Sequence, residues 1–152
     1  MDKQKHTLLL VEDNVDDEEL SLRAISKCGV PCEVKVARHG TEALDVLLSP
    51  ESSIPDLVVL DFHLPGYNGV EILRELRKNE KTRHLPVVML SGLGSDKDII
   101  DCLSEGANSF VEKPMDARVY VDHVVLIVRY WLTVDTRPEL LAVTTPSSSL
   151  TP

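Results

Sequence analysis

Five residues of types that do chemistry stand at the ends of short apolar runs. Glu12 and Asp13 follow LLLV, Asp61 follows LVVL, Ser91 follows VVML, and Lys113 closes FVEK. Asp61 poses the sharpest question, because an ionised carboxylate at the end of a buried run is costly without a partner. If the runs are neighbouring strands, Asp61 faces two more acids, a hydroxyl and an ammonium. Three carboxylates in one crevice repel one another unless a cation sits among them. All-oxygen ligation with few protein ligands suits Mg²⁺, which keeps waters and readily shares a phosphate. A carboxylate held there can attack phosphorus as a nucleophile. An ammonium such as Lys113 can offset charge on a transferring phosphoryl group, and the Ser91 hydroxyl can hydrogen-bond its oxygen.

The intervening segments must position these residues. Strands are expected at Thr7 to Val11, Cys32 to Val36, Leu57 to Asp61, Pro86 to Leu90 and Ser109 to Val111. Helices are expected at Asn14 to Lys27, Gly40 to Leu48, Val70 to Lys78, Asp96 to Glu105 and Asp116 to Leu132. Strand and helix alternate five times, which implies a doubly wound parallel sheet with helices on both faces. Runs that are apolar throughout suit central strands covered on both sides. In such sheets ligands sit at the carboxyl ends of the strands. Asp16, Asp17 and Glu18 read as acids that complement the dipole at the start of the first helix. Gly66 and Gly69 read as turn residues before the third helix.

The chain has 152 residues and a formal charge of −9, from 25 acids and 16 bases. That suits one substantial core and argues against gripping nucleic acid or an anionic membrane. No window of about eighteen apolar residues suggests a membrane span. The start lacks a signal-peptide pattern, so cytoplasm is the expected location. Three cysteines, Cys28, Cys32 and Cys102, do not form an even disulfide framework.

Four motifs carry a family resemblance. VEDN, DFHLPGYNG, VVMLSG and FVEKP occur in this order, with 30 residues from Asp61 to Ser91 and 22 from Ser91 to Lys113. Residues 7 to 132 thereby resemble the receiver domain of two-component response regulators. The resemblance implies a flavodoxin-like (βα)5 fold with strand order 2-1-3-4-5. It implies Asp61 as phosphoacceptor, with Mg²⁺ held by Glu12, Asp13, Asp61 and the backbone carbonyl of His63. Ser91 and Phe110 would be the switch pair and Lys113 the phosphate-sensing lysine. His63 and Leu64 depart from the commoner residues after the acceptor. Phe110 replaces the commoner Tyr and has no hydroxyl to use as a switch. The stretches VEDNVDDEELSLRAISK and RYWL are similar to stand-alone regulators paired with bacterial and cyanobacterial phytochromes. This likeness implies a phytochrome histidine kinase as phosphodonor, and output through a protein contact or onward phosphotransfer.

Two other classes fit the sequence less well. An Mg²⁺-dependent phosphohydrolase would place an acid/base carboxylate two residues after its nucleophile, where this chain has His63. No turnover of an external substrate is therefore expected. A pseudo-receiver acting as a dimeric binding module would not need the complete set of Glu12, Asp13, Asp61, Ser91 and Lys113.

The last helix carries too much apolar surface for a single stripe. Val121, Val124, Val128 and Leu132 make one face, leaving Val119, Ile127, Tyr130 and Trp131 for an interface. A homodimer is expected on those four residues together with Leu140 and Leu141. Residues 1–132 form the expected domain. Residues 133–152 form a C-terminal extension, with Pro138 to Val143 as an arm over the partner.

Overall fold

The computed structural model describes residues 5–92 and 94–136. Five strands, β1 (His6–Val11), β2 (Cys32–Ala37), β3 (Leu57–Leu60), β4 (Val87–Ser91) and β5 (Ser109–Glu112), form one sheet in the order β2-β1-β3-β4-β5. Every pairing is parallel. Five helices alternate with them: α1 (Val15–Lys27), α2 (Gly40–Leu48), α3 (Gly69–Lys78), α4 (Asp96–Ser104) and α5 (Ala117–Arg129). This is the doubly wound sheet expected from the alternation, in the flavodoxin-like strand order that the family resemblance implies.

Successive side chains of a strand point to opposite faces, so each apolar run feeds two cores. Leu9, Val11, Val58, Leu60, Val87 and Met89 pack with α2 and α3 residues such as Ala43, Leu47, Ile72 and Leu76. Leu8, Leu10, Leu57, Val59, Val88 and Leu90 pack with Ala24 and Ile25 of α1 and with α5. Each fully buried Leu or Val contributes about 1.5–3 kcal/mol relative to exposure. The all-buried β3 and β4 are therefore the rigid floor from which the site residues hang.

Most element bounds lie within a residue of the sequence reading, and two differences bear on the site and on the interface. β3 ends at Leu60, so Asp61 stands just outside the strand. α5 ends at Arg129 and continues as a π-helical turn, Tyr130–Val134. The three cysteines are free thiols. Among the described residues no helix is long and apolar enough to cross a membrane.

Candidate functional site

Glu12, Asp61 and Lys113 stand one step past the ends of β1, β3 and β5, and Ser91 is the last residue of β4. The Glu12 N–H donates to Ala37 O at 2.9 Å, and the Asp61 N–H to Val11 O at 3.0 Å. Glu12 and Asp61 thus hang from adjacent central strands. The Lys113 N–H donates to Ser91 O at 2.8 Å, which ties the ends of β4 and β5 together. The β3–α3 loop turns through Gly66, whose φ of +85° lies where glycine alone is unstrained. It enters α3 through a capping box between Asn68 and Glu71.

At this edge Glu12, Asp13 and Asp61 bring one carboxylate oxygen each to within 4.8 Å of one another. Glu12 and Asp61 are buried and Asp13 is exposed. The Lys113 ammonium donates to Glu12 Oε1 and Asp17 Oδ2 at 2.8 Å each, and to Asp61 Oδ2 at 3.2 Å. The His63 N–H donates to the other Asp61 oxygen at 3.1 Å, and the Asn14 N–H to Glu12 Oε2 at 3.2 Å. Burial, reinforced by a hydrogen bond with Asp61, pushes the Glu12 carboxyl up to about 8. Burial works to lower the Lys113 pKa, but its bonds to Asp17 and Glu12 outweigh this and raise it. Lys113 therefore remains an ammonium throughout the physiological range.

Ser91 is fully buried, and its Oγ has no hydrogen-bond partner among the described residues. Such a hydroxyl is costly to leave unpaired. It can serve an oxygen that enters from the cleft beside Gly92, Asp61, His63 and Lys113. The donor set also fits a hard divalent cation: three clustered carboxylates, two of them fixed by backbone N–H groups.

Asp13, Asp61, His63 and Lys113 all line one cleft, with Glu12 buried directly behind it against Lys113. Phe110 lies apart from the carboxylates. Its ring packs on the α2–α3 side of the sheet and beneath the loop after β4. A Cβ on Gly94 would come within 2.8 Å of the ring, so only glycine lets that loop close over it. Asp17 is the residue that sequence reasoning missed. It was assigned to the helix dipole, yet its carboxylate contacts Lys113 as closely as Glu12 does. The available signal was its place in the first turn of α1, four residues after Asp13.

The interface expectations divide. Val119 and Tyr130 are exposed and Trp131 is half-buried, as an interface requires. Ile127 is not available, because it is buried in the core under α5. The buried stripe is Tyr120, Val124, Ile127, Val128 and Leu132, rotated from the stripe inferred through Val121. Leu126, 64% exposed, takes the outward position instead. Leu140, Leu141 and the rest of the proposed arm lie outside the described residues.

A family model for the response regulator receiver domain matches residues 8–125, and the chain belongs to that family. The probable methanogenesis regulatory protein FilR2 of Methanothrix harundinacea is 36% identical over 128 residues, covering 82% of this chain and 83% of that protein. The solved structure of the phosphorylated cyanobacterial phytochrome response regulator RcpA is similar with a TM-score of 0.84 and 32% identity, covering 89% of this chain and 99% of that one. The Mn(2+)-bound form of response regulator Rcp1 is similar with a TM-score of 0.82 and 28% identity, covering 88% and 99%. The structural neighbours thus include phytochrome-associated regulators, and accepting a phosphoryl group is typical of the family.

Proposed function

We propose that this chain is a response regulator receiver that accepts a phosphoryl group on Asp61 from a partner histidine kinase. The observation that carries the reading is the Lys113 ammonium 3.2 Å from Asp61, together with a buried Ser91 hydroxyl at the same sheet edge that has no partner among the described residues. An Asp61 oxygen attacks phosphorus. The donor's P–N bond to histidine breaks, and its electron pair stays on the imidazole nitrogen. Lys113 offsets charge on the phosphoryl oxygens, and Ser91 Oγ donates a hydrogen bond to one of them. Glu12, Asp13, Asp61 and the His63 carbonyl would hold Mg²⁺, supported by the clustered carboxylates and by the metal named in the Rcp1 structure. When bound, that ion adds positive charge beside the transferring group.

Ser91 and Phe110 act as the switch pair in this reading. Ser91 turning to a phosphoryl oxygen would shift the loop that covers the Phe110 ring. The likeness to RcpA favours a phytochrome kinase as donor, and a cytoplasmic setting goes with it. Output passes through protein contacts, including a homodimer on the exposed side of α5. Exposed Val119, Leu126 and Tyr130 support that surface.

The test is intact mass after incubation with Mg²⁺ and acetyl phosphate. The wild type should gain one phosphoryl group and Asp61→Asn none. No gain in the wild type, with Mg²⁺ binding verified, would favour a phosphorylation-independent binding module.

A further inference from the structure

An ammonium has three N–H donors, and all three of Lys113 are engaged, by Glu12, Asp17 and Asp61. Asp17 is the one acceptor outside the cluster of Glu12, Asp13 and Asp61 oxygens. It is also held in place. Its N–H donates to Asn14 Oδ1 at 2.9 Å in the first turn of α1. One turn later, buried Ser21 Oγ and the Tyr120 hydroxyl meet at 3.1 Å between α1 and α5. The face of α1 that carries Asp17 is thereby fixed against the domain.

Resting on the receiver reading above, we propose that Asp17 is a positioning residue that restrains phosphorylation. It holds Lys113 toward α1 and competes with the incoming phosphoryl group for the ammonium. With acetyl phosphate as donor, an Asp61 O–P bond forms, the donor P–O bond breaks, and acetate leaves with the electron pair. The new group brings negative charge close to Asp17, and its oxygens need the N–H donors that Asp17 shares. Neutralising Asp17 removes a competitor and a repelling charge together, and both changes favour transfer. Asn keeps the shape but gives up the charge, and a charge-assisted hydrogen bond is roughly twice as strong as a neutral one.

The experiment follows the initial rate of phosphoryl gain by intact mass, at fixed Mg²⁺ and acetyl phosphate. Asp17→Asn and Asp17→Ala should each accelerate transfer by about two- to fivefold, the scale of a partly exposed ion pair. Asp17→Glu, which retains the charge, should stay near the wild-type rate. Asp16→Asn removes one charge from the same acidic turn and should leave the rate unchanged. An Asp17→Asn rate at or below wild type, or an equal acceleration by Asp16→Asn, overturns the assignment. A wild type that takes no phosphoryl group overturns the receiver reading itself, and the Asp17 role with it.

Discussion

Glu12 is where pH enters the site. Its carboxyl is raised from 4.5 to about 8, first by burial and then by the hydrogen bond with Asp61. A raised acid favours the folded state below its unfolded pKa, and that contribution is lost as pH rises from 4.5 through about 8. The metal-free protein should therefore lose stability across that window. Mg²⁺ needs the ionised carboxylate, so its binding should release a proton below about pH 8 and tighten as pH rises to that point. Calorimetric Mg²⁺ titrations in buffers of different ionisation enthalpy measure both effects. A proton count near zero at neutral pH would contradict the position of Glu12. Glu12, Asp61 and Lys113 were legible in the sequence because each ends an apolar run, and a buried run must deliver its next polar group somewhere. Asp17 was not. An acid in the first turn of a helix is already explained by the dipole. The contact that gives it a second role comes from a lysine 96 residues away.

Elements are held in register by groups that the apolar pattern does not reveal. Arg77, near the end of α3, donates from Nε and Nη2 to Gly106 O at 3.1 and 2.8 Å. It also reaches Thr82 O, Arg83 O and Asn108 Oδ1. One guanidinium thus clasps α3 to the turn after α4 and to the start of β5. Arg77→Ala would strip Gly106 O and Arg83 O of these donors, while Thr82 O keeps the Leu85 N–H and Asn108 Oδ1 keeps the Val87 N–H, and it should cost about 2 kcal/mol. Arg77→Lys should recover little of that, because a point ammonium cannot reproduce the planar fork. Urea midpoints with an unchanged slope provide the measurement. Strand and helix positions were legible from runs and periodicity, while the rotation of α5 was not. Its apolar residues are dense enough to allow two stripes, and packing against α1 selects the one through Tyr120 and Ile127. The widened turn at Tyr130–Val134 likewise has no sequence signature of its own.

At the scale of the whole molecule, two buried faces use up most of the apolar surface, and the exposed remainder includes Val15 of α1, Ile100 and Leu103 of α4, and Val119, Leu126, Tyr130 and Val134 on α5 and the turn that follows it. Leu126→Glu places a charge at a position 64% exposed, so the monomer should fold unchanged. If the homodimer forms on this face, the substitution should weaken it by about tenfold or more, read by sedimentation. A wild type that sediments as a clean monomer at tens of micromolar, on the order expected for weak interfaces, would remove the dimer. The bridging lysine has a different consequence, one for synthesis. Lys113 lies 101, 96 and 52 residues after the three acids it neutralises. A nascent chain that has exposed β1, α1 and β3 to solvent still lacks the cation that settles their charge. The strand that completes the sheet edge is also the strand that brings it. The lysine that bridges these three acids is thus among the last parts of the fold to be synthesised, and the sheet edge gains its own cation only when β5 is in place.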